Sequence, residues 1–198
     1  AGLANHYLVP AMGIQMTLLL LTLICATVGV GHLLAVHRRP RPSSRGWLRV
    51  AAVVMVMGLG LGLGLPDMMQ LYGHRIAYST HAQDTDVRLL VEGRAATVTV
   101  LDQDDPREGT YRDMYLNGVE EASTRYWHVQ LFKMLGIYPV LVHPDPDEVL
   151  VIAFGAGITA GSVLASDEVE SLDVVDLNPD IEGINDLFTE VNGDVYHK

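Results

Sequence analysis

The hydrophobic pattern changes character near Pro66. Ahead of it, apolar positions run without interruption: Met16 to Val36 is 21 residues free of charge, about 31 Å long as a helix and close to the hydrocarbon thickness of a bilayer. This run predicts a transmembrane helix. A second run, Trp47 to Leu65, is broken only by Arg49, ends at Pro66-Asp67, and carries Trp47 where an interfacial aromatic would sit; it predicts a second span. A cleaved signal peptide fits the first run poorly, because no basic segment precedes it, its apolar core is too long, and another apolar run follows. Gly58, Gly60, Gly62 and Gly64 form two overlapping small-residue pairs, 58/62 and 60/64, read as ordinary helix packing within the same protein. His32 reads as an interfacial histidine near the end of the first span rather than a ligand or proton relay.

Behind Pro66 the pattern becomes that of a folded α/β chain. Residues 71–83 are polar and mixed, without a period. Val87–Val91, Ala96–Val100 and Met114–Leu116 are rich in branched and aromatic residues and separated by glycine or Asp/Pro clusters, as short strands are. Asn117-Gly118 is the strongest hairpin signal in the chain, so a small antiparallel sheet is expected first. Thr124 to Tyr138 places Trp127, Leu131, Leu135 and Tyr138 on one face of a helix that Pro139 should end. Val149 to Phe154 is a continuous apolar run of the kind buried on both faces of a parallel sheet. Gly155-Ala156-Gly157, a helix over Ile158–Ser166, a strand over Leu172–Val175 and then Asp176 follow in order. Asn178-Pro179-Asp180 opens a last helix reaching about Asn192. The expected fold is therefore a membrane-anchored α/β chain. Two transmembrane helices (1–66) precede a small antiparallel sheet (67–123) and the first half of a Rossmann-like, methyltransferase-type domain (124–198). One such unit cannot cover both faces of a doubly wound sheet, so Val149–Phe154 is expected to expose an edge or a face.

Charge sharpens the division. All 24 acidic residues follow Pro66, whereas residues 1–66 hold five arginines and no carboxylate. The remaining eight basic residues leave 67–198 at a net −16. A bilayer selects the first composition and water the second; a nucleic-acid partner is excluded by the acidic part, which repels phosphate. The Pro/Arg/Ser loop within 37–49 is assigned to the cytoplasm by the positive-inside rule, which puts the acidic domain on the opposite face. Cys25, the single cysteine, rules out an intrachain disulfide and a thiolate zinc site, and no metal site is expected.

Candidate chemistry sits in the strand–turn–helix–strand unit. Gly155 and Gly157 would permit close backbone approach, the following helix would present N–H groups, and Asp176 would accept from ribose hydroxyls; these three residues are the expected adenosyl-binding set.

The chain from about Leu71 to Tyr196 resembles the spermidine synthases, and within them the multi-spanning membrane proteins described as fused spermidine synthases. The resemblance rests on Leu116-Asn117-Gly118-Val119-Glu120, on His143-Pro144-Asp145-Pro146 leading into Val149-Leu150-Val151-Ile152, on Gly155-Ala156-Gly157-Ile158-Thr159-Ala160-Gly161, and on Val174-Val175-Asp176-Leu177-Asn178-Pro179. It implies a small β-sheet before a methyltransferase-like Rossmann domain, and transfer of an aminopropyl group from decarboxylated S-adenosylmethionine to a diamine such as putrescine. It also implies that Gly155, Gly157 and Asp176 line the cofactor site. Ala153 stands where many members have the first glycine of the turn, and Ala156 where the soluble enzymes have an aspartate gripping the amine end of the cofactor. Phe132 and Lys133 stand where those enzymes place polar and acidic substrate contacts. Lys198 precedes the strand with the adenine-contacting acid and the catalytic aspartate, so no catalytic residue and no bound cofactor are expected in this chain.

Three functions compete on these residues. The first is a catalytically incomplete, spermidine synthase-like structural subunit of a larger membrane assembly, its partners the bilayer and either other membrane subunits or the remainder of the fold. The second is a membrane-anchored aminopropyltransferase using decarboxylated S-adenosylmethionine. A transporter-like role is weakest, because the apolar runs contain no carboxylate to bind a cation.

Overall fold

A computed structural model describes residues 4–36 and 84–198, with six isolated positions between them: 52, 55, 56, 58, 60 and 64. The chain divides into two compact units, Ala1–Met68 and Met69–Lys198. The expected second span, the loop at 37–49 and the segment 71–83 lie outside the described residues, apart from those isolated positions.

In the first unit a π-helical turn, Ala4–Leu8, leads into α1, Val9–Val36. Gly13 (φ 80°, ψ 165°) interrupts its helical geometry. Within α1, Val9–His32 has a mean hydropathy of 2.0 and is long and apolar enough to cross a membrane. The helix begins about two turns earlier than the charge-free run suggests. Its hydroxyls need no water: Thr17, Thr22 and Thr27 each donate to the carbonyl four residues back, at 2.7, 2.8 and 2.7 Å. Among the described residues this is the one helix that meets the membrane criterion; the expected second span, Trp47 to Leu65, lies outside them but for the isolated positions.

The second unit opens with four antiparallel strands in sequential order: β1 (Asp84–Glu92), β2 (Thr97–Asp105), β3 (Gly109–Leu116) and β4 (Val119–Ser123). The Asn117-Gly118 turn joins β3 to β4 with both residues left-handed (φ 52° and 82°), as a two-residue hairpin matched to strand twist requires. The Asn117 side chain accepts from the Thr97 amide at 3.0 Å, while its own amide donates to the Thr97 carbonyl at 2.8 Å, which fixes the hairpin against β2.

α2 (Tyr126–Val142) follows, then β5 (Glu148–Ile152), α3 (Ile158–Val163) and β6 (Ser171–Val175), with β5 and β6 paired in parallel. α4 (Ile181–Leu187), α5 (Thr189–Asn192) and a 3-10 turn (Val195–His197) complete the unit. The antiparallel sheet and the α/β part share one core: Val98, Val100, Met114 and Ala122 pack with Val129, Ala156, Ile158, Ile184 and Phe188. Arg112 reinforces the junction, its guanidinium bound by both Asp102 oxygens (2.6 and 3.0 Å) while also donating to the Leu187 carbonyl.

Several elements differ from the sequence reading. α2 continues through Pro139 to Val142, closed by a 3.0 Å bond from the His143 amide to the Pro139 carbonyl; the proline lies on the exposed side, where the carbonyl it leaves unpaired can reach solvent. The apolar face of α2 points outward, and its buried residues are Val129, Gly136 and Val140. α3 stops at Val163 rather than Ser166. The last helix is broken at Phe188 (φ −118°), whose ring is wholly buried. By contrast, Val149–Phe154 leaves a face open as expected: Leu150 and Ile152, with Val175 beside them, are exposed.

Candidate functional site

The turn between β5 and α3 is built by backbone geometry few residues tolerate. Gly155 (φ 57°) and Gly157 (φ 75°) are left-handed, and a Cβ on Gly157 would also lie 2.7 Å from the Phe154 ring. Ala153 is left-handed as well (φ 74°), at the position the resemblance assigns to glycine. An alanine there costs about 1 kcal/mol or more relative to its relaxed conformation. Its side chain is exposed and gains little from burial. Ala153→Gly should therefore stabilise the protein by about 0.5–1 kcal/mol in urea titration, after the added freedom of the unfolded chain is subtracted; destabilisation would show that the methyl has a packing role.

Asp176, directly after β6, reaches back across the turn. One carboxylate oxygen accepts from the Phe154 amide at 2.6 Å and the other from the Asn178 amide at 2.7 Å. The parallel ladder extends one step further through a 2.8 Å bond from the Ala153 amide to the Val175 carbonyl. Gly155, Gly157 and Asp176 are thus brought to one end of the β5–β6 pair. Asp176 already serves the backbone with both oxygens, and about two of a carboxylate's four lone-pair sites remain for a hydroxyl donor. α3, with six residues, adds only a small helix dipole.

Other expected positions fall elsewhere. Ala156 is in the shared core at 4% exposure. Phe132 packs against that core and its carbonyl accepts from the Thr159 hydroxyl at 3.1 Å. Lys133 is exposed and lines a shallow cleft of about 440 Å3, shared with Ile137, Ser162, Glu190 and Lys198, that includes none of Gly155, Gly157 or Asp176.

Three supports of the turn are not legible in the sequence as site residues. Asn192, 2% exposed, donates to the Ala156 carbonyl at 2.9 Å and to Asn185 Oδ1 at 3.2 Å. Gly161 lets the Asn192 backbone approach α3, and Gly136 lets α2 approach it from another side; a Cβ at either would fall 2.0–2.1 Å from a neighbouring atom. Their only sequence signal is a small residue at a helix contact, which many packings share.

Two polar clusters lie apart from the turn. Asp186, Asp194 and His197 bring their ligand atoms within 4.8 Å of one another. Internal hydrogen bonds account for their electrostatics: Asp194 accepts from Asn185 at 2.8 Å and lies 2.7 Å from His197 Nδ1, which raises the imidazole above its ordinary value and lowers the carboxyl. In the antiparallel sheet, Asp113 is wholly buried, and desolvation raises its carboxyl above the usual range. It accepts from Gln103 at 2.7 Å, and Arg125 Nη2 lies 3.4 Å from both its oxygens.

No protein-family model and no curated protein matches the chain. Among solved structures it is similar to a spermidine synthase in complex with the transition-state analogue AdoDATO and to spermidine synthase from Thermotoga maritima. Each match has 22% identity and a TM-score of 0.46, over 54% of this chain. The matched region spans 36% of the length of each of those proteins.

Proposed function

We propose that this chain is a spermidine synthase-like membrane protein whose α/β unit is a non-catalytic structural subunit of a larger membrane assembly. In this reading α1 lies in the bilayer, the basic loop faces the cytoplasm and the acidic unit projects from the opposite face. Ala156 is the observation that supports it most. In the resemblance that position grips the cofactor amine with a carboxylate, whereas here a methyl group packs against the core. With Asp176 committed to two backbone amides, the remaining contacts fall short of the roughly 8 kcal/mol that micromolar binding needs, since one charge-assisted hydrogen bond is worth about 1.5–3 kcal/mol.

The competing reading, an aminopropyltransferase using decarboxylated S-adenosylmethionine, is favoured by the left-handed glycine turn and the lone pairs left on Asp176. Thermal unfolding of the full chain in mild detergent separates the two readings. We expect no shift with S-adenosylmethionine or its decarboxylated form at about 100 μM. Binding at about 1 μM would instead stabilise the fold by about 2.7 kcal/mol. Such a stabilisation, lost in Asp176→Asn, would overturn the non-catalytic assignment. Asparagine is the better probe than alanine because it keeps one acceptor for the turn.

A further inference from the structure

The outward face of α2 is apolar and exposed. Trp127, Leu131, Met134, Tyr138 and Leu141 are all more than half exposed, and their spacing of four, three, four and three is the 3.5-residue repeat of a helix–helix seam. Leu135 and Val142 flank it, also more than half exposed, and Tyr126 stacks edge-on against Trp127 with ring centroids 5.3 Å apart. With aromatic side chains covering about 150–250 Å2 each, the face amounts to roughly 1,000 Å2. That exceeds the few hundred Å2 of apolar patch usual on a monomer, and it matches the ~800 Å2 each partner contributes to a standard stable interface.

Charge indicates the occupant. Residues 67–198 carry a net −16, which keeps copies apart over most of the surface, yet residues 126–142 contain no carboxylate and one charge, Lys133. The positions beside the seam, His128, Gln130 and Ile137, place no like charges opposite one another across a two-fold axis. A lipid surface fits less well: an interfacial helix is rich in Lys and Arg on its polar face, and the acidic unit is repelled by anionic headgroups. We infer that α2 is a dimerisation helix that packs against α2 of a second copy of this chain. The contact is isologous, with Met134, the middle seam position, next to the symmetry axis in either helix orientation. This holds whether or not the glycine turn binds an adenosyl compound.

The test uses the full chain in mild detergent. Sedimentation equilibrium should show a dimer at micromolar concentration, weakened at least tenfold in Leu131→Glu/Tyr138→Glu with an unchanged circular dichroism spectrum. In a Cys25→Ser background, Met134→Cys should form an intermolecular disulfide on mild oxidation, while Val119→Cys, 61% exposed on the antiparallel sheet, should not. A monomer at ~100 μM overturns the inference. So does a dimer that survives the double substitution and gives no crosslink in the Met134→Cys variant, which would place association on another surface such as α1. A monomer whose Trp127 fluorescence, in a Trp47→Phe background, is quenched by brominated phosphatidylcholine only when Leu131 and Tyr138 are intact also overturns it, in favour of the lipid surface.

Discussion

Gly161→Ala should destabilise the protein by about 3 kcal/mol or more, although alanine is the better helix former by about 1 kcal/mol. The sign follows from what the added methyl meets. A Cβ at 161 would lie 2.0 Å from the Asn192 carbonyl oxygen and 2.8 Å from its carbonyl carbon, and backbone cannot rotate away as a side chain can. Asn192 is itself held at both ends, through its side chain to Ala156 and Asn185 and through its amide to the Phe188 carbonyl at 3.0 Å. Relief therefore requires α5 to shift, which breaks the bond that positions the Ala156 carbonyl in the glycine turn. Gly183 is the matched control: it is helical and exposed, with nothing within 4 Å of its Cβ direction, so Gly183→Ala should gain about 1 kcal/mol. Urea denaturation measures both, and hydrogen exchange should show faster opening of the 155–163 amides in Gly161→Ala alone. Equal stability of Gly161→Ala and the parent would mean that α3 and α5 are not packed as described.

Local chemistry is readable in the sequence where a few adjacent residues decide the structure. The hairpin at Asn117-Gly118 follows from two residues that tolerate left-handed backbone, and the strand–turn–helix–strand order from 149 to 176 follows from an apolar run, paired glycines and a second apolar run. The orientation of elements is not readable. Trp127, Leu131 and Tyr138 mark one face of a helix equally well whether that face is buried or bare. What turns it outward is Gly136, the position on the opposite face that admits Thr159 and Ser162 of α3. Asp176 is a similar case. Its place after a strand suggests a ribose acceptor, but its bonds to Phe154 and Asn178 depend on the path of two loops that share no sequence signature. The left-handed Ala153 is signalled only through the resemblance, which places a glycine there; the residue itself gives no sign, because the preceding strand and the Val175–Asp176 contacts impose that conformation on whatever residue stands there.

Arg125→Ala should cost about 2–4 kcal/mol at pH 7 through the acid it leaves behind. Asp113 is inaccessible to water, and its surroundings besides Arg125 are neutral donors, the Ser123 hydroxyl, Gln103 at 2.7 Å and Tyr115 at 3.3 Å, with Glu120 the further carboxylate nearby. Arg125 is the cation that serves the cluster: it contacts Asp113 and Glu120, its Nε donates to the Ser123 hydroxyl at 3.1 Å, and its guanidinium lies 4.7 Å from the centre of the Tyr111 ring. Removing it leaves a desolvated carboxylate facing a second acid. The pH dependence gives the effect a signature. Burial already raises the folded Asp113 carboxyl above its ordinary value near 4, and loss of the guanidinium raises it further. A group raised in the folded state contributes stability that is fully present below its unfolded pKa and is lost as pH rises through its folded pKa. The deficit of Arg125→Ala should thus be largest at neutral pH and shrink as acid approaches about pH 4, where Asp113 is protonated and needs no cation. Arg125→Ala combined with Asp113→Asn should recover much of the loss at pH 7, because the amide buries without charge and can still accept from Gln103. If the single variant loses the same stability at about pH 4.5 as at pH 7, the cost comes from lost packing on Tyr111 and Ser123 instead of an unpaired carboxylate.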